Sequence, residues 1–197
     1  MKVYGITGGV GSGKSMVLDM LKERTNSYII KADEVANMLM TKGHKPYDDI
    51  VMIFGEDILD KDGNINKTRM SDIIFNNENK RLVVNSIVHP QVKKWITEKI
   101  GYLSVEGKYD YIFVEAALLI EDHYDAICDE LWYIYASEET RVLRLSTSRG
   151  YTTKKTKSII KSQKSDDEFR ARCNRVIDNS GDIEDTFEQI KNILSEG

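Results

Sequence analysis

The chain has very little cysteine, histidine and proline for its length of 197 residues. Its two cysteines, Cys128 and Cys173, lie far apart, and no cysteine or histidine stands at the spacing of a metal site. This pattern excludes a disulfide scaffold and a structural zinc site, and it predicts a reducing, cytoplasmic environment. No apolar run is long enough to span a bilayer, and a strand predicted from Lys2 leaves no room for a signal peptide. We therefore expect no membrane partner.

The chain also lacks a strong excess of charge of one sign. Its 28 basic and 32 acidic residues give a formal net charge of −4, so nothing attracts it to nucleic acid as a whole. Residues 149–173 are the exception, because they carry eight lysines and arginines against three acids. Such a segment is either a solvated helix face or a lid that closes over nucleotide phosphates.

One glycine-rich stretch, GITGGVGSGKS at residues 5–15, organises the rest of the chain. It contains the phosphate-binding loop pattern, with an apolar strand before it and a helical pattern over residues 14–24. Glycines let the backbone approach a phosphate closely, and the loop N–H groups and the helix N-terminus point at the anion. The Lys14 ammonium is expected to reach the β- and γ-phosphates, and the Ser15 hydroxyl to ligate Mg²⁺. The predicted nucleotide-binding residues here are Gly8, Gly9, Val10, Gly11, Ser12, Gly13, Lys14, Ser15 and Met16.

Apolar segments alternate with helical patterns along much of the chain. After the first strand at residues 2–6, strands are predicted at residues 28–30, 109–114, 131–136 and 175–178. This alternation predicts an α/β fold, a five-stranded parallel sheet with helices on both faces.

The predicted strands do not account for residues 41–106, which carry only helical signals and a kink or helix restart at Pro90. This stretch predicts a helical domain inserted between the second and third strands. The expected division is a core of residues 1–40, 107–148 and 174–197, the helical domain at 41–106 and a helical lid at 149–173.

Two acids follow predicted strands, at the edge where ligands collect in open α/β sheets. Asp33 comes after the second strand, where it is also well placed to cap the next helix. Glu115 follows the third strand, and it either orients a metal-bound water or the acceptor or only caps the strand end.

A phosphate-binding loop alone fits several classes of protein. A GTP switch needs an Asn-Lys-x-Asp segment, whereas the pair Asn66-Lys67 is followed by Thr68-Arg69 within the helical domain. The acidic balance and the lack of a basic, aromatic stripe disfavour a nucleic-acid motor or binding module. A small-molecule kinase accounts for the sheet, the helical insertion and the basic lid together.

Motifs from end to end of the chain resemble those of the dephospho-coenzyme A kinase family. In chain order they are GITGGVGSGKS (5–15), ADEVA (32–36), FGEDIL with DGNIN (54–66), His89-Pro90, ALLIE (117–121), Arg144, Arg149, Gln163 and VIDNSG (176–181). The resemblance implies ATP-dependent phosphorylation of the ribose 3′-hydroxyl of dephospho-coenzyme A, the last step of coenzyme A synthesis, with Mg²⁺. A nucleoside or deoxynucleoside monophosphate kinase on the same scaffold is the alternative. We expect a monomer or a weak homo-oligomer.

The resemblance also implies roles for particular residues. Asp33 is expected to accept the proton of the ribose hydroxyl, and Lys14 to hold the ATP phosphates. Arg144 and Arg149 are expected to meet the transferring phosphoryl group, with solvation on a helix surface as the alternative for both. Gln163 is expected to be a lid contact. The residues expected beside the adenine are Asn179 and Gly181. The residues expected in the acceptor site are Asp33, His89, Leu118 and Glu121.

Overall fold

The structure, a computed structural model, describes residues 1–196. The strands are β1 (Lys2–Thr7), β2 (Ser27–Lys31), β3 (Tyr111–Glu115), β4 (Glu130–Tyr135) and β5 (Arg175–Asp178). The helices are α1 (Lys14–Arg24), α2 (Ala32–Leu39), α3 (Lys45–Phe54), α4 (Lys67–Phe75), α5 (Glu78–Glu106), α6 (Glu138–Arg149), α7 (Thr153–Lys161), α8 (Asp166–Arg172) and α9 (Ile183–Ser195). Within residues 1–196, no helix is both long and apolar enough to cross a bilayer.

The strands form one sheet in the order β2-β3-β1-β4-β5. The central strand β1 pairs in parallel with β3 on one side and with β4 on the other, and β4 pairs in parallel with β5. Consecutive residues of β1 from Val3 to Thr7 are buried, and successive side chains of a strand point to opposite faces. Both faces of the sheet are therefore covered at β1, and the predicted five-stranded parallel α/β fold is confirmed.

An aromatic cluster on one face of the sheet holds α1 in place. The Tyr4 ring stacks on Trp132 with 4.3 Å between centroids and lies 5.7 Å from the ring of Phe113. Leu18 and Leu21 of α1 are fully buried in the same cluster. Because β1 and the buried side of α1 are both fixed by this packing, the loop that joins them has two immobile ends.

The chain divides into two compact units, Met1–Ile29 with the chain from Glu106 onward, and Ile30–Val105. The second unit is mainly helical, with a single 3₁₀ turn at Glu56–Ile58 and one isolated antiparallel bridge between Leu59 and Ile65 among its described residues. The sequence-based division into core, helical domain and lid stays a prediction.

Helix α5 is a single helix of 29 residues with Pro90 inside it, so of the two predicted alternatives, a kink or a helix restart, the restart is wrong. Val84, Val88, Val92 and Ile96 are buried at successive four-residue steps on both sides of the proline. An interior proline costs a helix about 3 kcal/mol, whereas burying each such side chain contributes roughly 1.5–3 kcal/mol. The packed stripe therefore outweighs the proline.

Candidate active site

The glycine-rich loop between β1 and α1 ends in a left-handed turn at Gly13, with φ 90° and ψ 21°. A Cβ there would also overlap the side-chain amide of Asn179, so the position suits only glycine. Helix α1 begins at Lys14, and it has neither a side-chain cap nor an acidic residue in its first turn. A helix start of this kind is suited to a bound anion, which would accept hydrogen bonds from its N–H groups.

Lys14 lies over this loop. Its Nζ donates to the carbonyl oxygen of Gly8 at 2.6 Å and stands 4.0 Å from Oε1 of Glu115. Glu115 reaches this place because it ends β3 and is in register with Ile6 of the neighbouring strand β1. Parallel strands bring their carboxyl ends to one edge of the sheet, where the loop also lies. An ammonium and a carboxylate thus stand together at the phosphate-binding loop.

The donor set at this edge fits Mg²⁺. No group of three or more histidine, cysteine or acidic side chains that could hold a metal occurs within residues 1–196. Mg²⁺ does not need one, because it is usually bound by one or two protein oxygens together with substrate phosphates and water. Ser15, in the first turn of α1, and Glu115 are the oxygen donors that fit this requirement.

Two donors from different elements hold the carbonyl oxygen of Ser12, next to the left-handed turn. Asn179 Nδ2 donates to it at 2.7 Å and Arg144 Nη1 at 3.2 Å. Asn179 is itself fully buried, with its Oδ1 accepting from Thr186 Oγ1 at 2.9 Å. The Asn179 side chain therefore supports the loop, and Gly181 follows it in the connection between β5 and α9.

Three other predicted site residues of this unit have different surroundings. Arg149 is the exposed last residue of α6, with its guanidinium carbon 6.0 Å from the centre of the Tyr151 ring. Glu121 Oε1 pairs with Lys164 Nζ at 3.4 Å, and Leu118 is exposed in the turn after β3. Neither the contact of Arg149 with Tyr151 nor the ion pair of Glu121 with Lys164 involves the loop.

Asp33 and His89 belong to the second unit. Lys31 is the N-cap of α2, which follows β2 without a loop, so the capping role predicted for Asp33 is wrong. Asp33 lies in the first turn instead, where a negative charge is favourable, and its carbonyl accepts from Asn37 Nδ2 at 2.8 Å. His89 is half-buried in α5, one residue before Pro90.

Sequence reasoning overlooked Arg141, the residue of α6 that contacts the tip of the loop. Its Nε donates to the carbonyl oxygen of Val10 at 2.8 Å. Its spacing in the sequence could have identified it, because Arg141 precedes Arg144 by three residues and side chains at that spacing share a helix face.

Comparisons with known proteins identify the family of this chain. The model of the family described as dephospho-CoA kinase matches residues 2–185. The chain is similar to the dephospho-CoA kinase of Carboxydothermus hydrogenoformans, with 39% identity over 194 residues that cover 98% of this chain and 93% of that protein. It is similar to the one from Aquifex aeolicus, with 35% identity over 196 residues that cover 100% of this chain and 97% of that protein.

Solved structures show the same fold. The crystal structure of TT1252 from Thermus thermophilus has a TM-score of 0.81 at 24% identity, covering 99% of this chain and 97% of that one. A dephospho-CoA kinase from Campylobacter jejuni has a TM-score of 0.71 at 21% identity, covering 98% and 96%. A shikimate kinase from Acinetobacter baumannii in complex with shikimate has a TM-score of 0.56 at 14% identity, covering 100% and 94%. With the family match over most of its length, the chain belongs to the dephospho-CoA kinase family and is a kinase, a phosphoryl transferase.

Proposed function

We propose that this chain transfers the γ-phosphoryl group of ATP to the ribose 3′-hydroxyl of dephospho-coenzyme A, forming coenzyme A and ADP. The observation that carries the proposal is the complete phosphate-binding loop with an uncapped helix start, in a chain of this family. The reaction forms a bond between the ribose oxygen and the γ-phosphorus, and it breaks the bond from that phosphorus to the β–γ bridging oxygen. The proton of the hydroxyl must leave as the new bond forms.

Phosphoryl transfer depends mainly on positioning and on stabilising charge. The loop N–H groups and Lys14 would hold the ATP phosphates, and Arg144 and Arg149 would approach the transferring group. Ser15 and Glu115 would hold Mg²⁺ together with the phosphates, and the ion would supply positive charge to the phosphate oxygens. The hydrogen bond of 2.6 Å from Lys14 Nζ to the Gly8 carbonyl oxygen supports this role, because it holds the ammonium over the loop.

Asp33 is the proposed general base. A positioned carboxylate that accepts the hydroxyl proton contributes about 10²–10⁴-fold to the rate. The other residues proposed for the acceptor site are His89, Leu118 and Glu121. Asn179 and Gly181 are proposed to flank the adenine, with Asn179 acting through the backbone that it holds.

The helical domain at residues 41–106 is the proposed binding site for the acceptor, and residues 149–173 are the proposed lid. Dephospho-coenzyme A carries a long pantetheine arm, which needs more surface than a nucleoside monophosphate does. Binding energy from that arm can orient the ribose hydroxyl, so a truncated acceptor should lose kcat as well as affinity.

We further infer a monomer or weak homo-oligomer in a reducing cytoplasm. Burial raises the pKa of the Cys173 thiol to about 11, so little thiolate is present at neutral pH. A thiol of this kind is unreactive, as expected of a structural cysteine.

The test is a coupled assay of ADP formation with dephospho-coenzyme A, AMP, a deoxynucleoside monophosphate and shikimate as acceptors. We expect kcat/KM for dephospho-coenzyme A to exceed the others by orders of magnitude, with the product carrying its new phosphate on the 3′-oxygen by phosphorus NMR. A higher kcat/KM for AMP or the deoxynucleotide would instead establish the alternative, a nucleoside monophosphate kinase.

A further inference from the structure

Arg141 and Gln163 hold both backbone polar groups of Val10, at the tip of the phosphate-binding loop. Arg141 Nε donates to the Val10 carbonyl oxygen at 2.8 Å, and the Val10 N–H donates to Gln163 Oε1 at 2.9 Å. Arg141 Nη2 also donates to that Oε1, at 3.0 Å, which closes a ring of three hydrogen bonds. We call this arrangement the Val10 clamp.

The clamp joins three parts of the first unit. Arg141 is in the first turn of α6, Val10 is in the loop after the central strand, and Gln163 follows α7 in the predicted lid. The guanidinium also lies against Gly9, where a Cβ would overlap it. The loop tip is therefore fixed from both sides, by a core helix and by the lid segment.

Arg141 is unusual because its charge is buried without an acidic partner. The residue is only 6% exposed. Among residues 1–196, no carboxylate oxygen lies within the 4.0 Å of an ion pair with it, and its hydrogen bonds go to neutral oxygens. Arginine stays protonated in proteins, and burying an unpaired charge is costly. A phosphate group bound in the adjacent loop would supply the missing negative charge.

We propose that the Val10 clamp sets the ATP-binding conformation of the loop, and that Arg141 is a positioning residue for the nucleotide phosphates. This inference rests on the proposed use of ATP. Arg141 acts through the Val10 backbone and through the long-range attraction of its charge for phosphate. Gln163 couples the proposed lid to the loop, because its side-chain oxygen accepts hydrogen bonds from both the Val10 N–H and Arg141.

The test compares Arg141→Met, Gln163→Ala and the double variant with the natural chain. Binding of Mg²⁺ with a non-hydrolysable ATP analogue is measured by calorimetry without any acceptor. Arg175→Met is the control for loss of an arginine, since Arg175 pairs with Glu130 and Glu196 elsewhere in the unit. Ser162→Ala is the control in the lid segment, because the Ser162 hydroxyl makes a local bond to the Ile159 carbonyl.

We expect Arg141→Met to weaken analogue binding about 10- to 100-fold, the range for hydrogen bonds from a charged donor. Gln163→Ala should weaken it about 3- to 10-fold, and the double variant should bind about as weakly as Arg141→Met alone. Both controls should bind within about twofold of the natural chain. Additive losses in the double variant, or unchanged binding in a folded Arg141→Met, would overturn the clamp.

The kinetic readout separates positioning from general damage. A clamp that positions ATP should raise the KM for ATP, with little change in kcat at saturating ATP or in the KM for the acceptor. A merely structural role would lower the fraction of active enzyme and leave the KM for ATP unchanged, which would overturn the proposal. If Arg141→Met does not fold, Gln163→Ala decides alone, because Gln163 is exposed and its loss spares the core.

Failure of the proposed function would look different. In that case the natural chain binds the ATP analogue but does not phosphorylate dephospho-coenzyme A, and the binding comparison still decides the clamp. If the natural chain phosphorylates dephospho-coenzyme A while every variant binds the analogue normally, the clamp alone is wrong.

Discussion

The phosphate-binding loop and the helical second unit differ in which side chains they bury and which they expose. Polar side chains are buried around the loop, and large apolar side chains are exposed in the second unit. Around the phosphate-binding loop, buried side chains such as Asn179 and Arg141 hold backbone carbonyls by short hydrogen bonds. In residues 30–105, by contrast, large apolar side chains face the solvent, with Phe75 88% and Val105 90% exposed. Seven of the eleven exposed large apolar side chains among the described residues lie in this unit.

This difference matches the two modes of recognition proposed above, one for phosphates and one for the acceptor. Phosphates are small, charged and invariant, so a backbone cradle fixed in advance binds them without reorganisation. An acceptor with a long, partly apolar arm is better served by exposed apolar surface. The following predictions test whether the two units differ in this way.

The largest effect is expected for Lys14→Ala. Loss of the ammonium over the loop should lower kcat/KM by roughly 10³–10⁵-fold, the range for removing a cation that stabilises the transferring phosphoryl group. The coupled ADP assay measures the loss, and circular dichroism with thermal melting checks the fold. Near-normal activity in a folded variant would contradict the proposal that the loop and Lys14 bind the ATP phosphates.

Asp33→Asn tests the proposed base in the other unit. It keeps the shape of the side chain but cannot accept the proton, so kcat should fall about 10²–10⁴-fold while ATP affinity is retained. Single-turnover kinetics and calorimetry with an ATP analogue measure the two quantities separately. Loss of ATP affinity with normal kcat at saturation would make Asp33 a structural or metal-site residue.

A matched pair of phenylalanine substitutions compares the two units directly. Phe113→Ala empties a fully buried site in the aromatic cluster and should lower the free energy of unfolding by about 3–5 kcal/mol. Phe75→Ala removes an exposed ring and should change that free energy by no more than about 0.5 kcal/mol. Urea unfolding measures both. A large cost at Phe75 would show that its ring is covered in solution.

The smallest effect is expected in the lid segment. Lys164 and Glu121 form a partly exposed ion pair at 3.4 Å, and such pairs contribute little to stability. Lys164→Ala should therefore speed hydrogen exchange in residues 149–173 by less than about fivefold. Adding ATP and the acceptor should slow exchange there in the natural chain. Unchanged protection would favour a solvated helix face over a lid.

Local patterns predicted those parts of the fold that depend on local sequence. The bounds of α1 and β5 agree with the predicted residues 14–24 and 175–178, because a glycine turn and short apolar runs mark their ends. Strand β3 begins at Tyr111, two residues later than predicted, and the N–H groups of Asp110 and Tyr111 both donate to the carbonyl oxygen of Asn26. The order of the strands in the sheet depends on pairing between distant segments, so local sequence patterns do not predict it.

The errors also have physical causes. Pro90 predicts a break by its own chemistry, but the buried valines on either side of it keep the helix continuous. Asp33 resembles a cap because loops usually separate strands from helices, whereas here β2 passes directly into α2. A charged residue on a helix is usually exposed, so the sequence predicts an exposed Arg141. The loop that packs on it in the structure is what buries its side chain. Burial of this kind depends on tertiary contacts that a single sequence does not contain.

The aromatic cluster under α1 has a practical consequence. The chain has two tryptophans, and they fall in different units: Trp132 lies fully buried against Tyr4, and Trp95 lies half-buried in α5. Each unit therefore has one tryptophan of its own, whose emission can be excited apart from that of the tyrosines. In Trp95→Phe the remaining emission reports only the sheet, and in Trp132→Phe it reports only the helical unit. Without any attached dye, spectroscopy can follow whether ligands perturb the two halves together or one after the other.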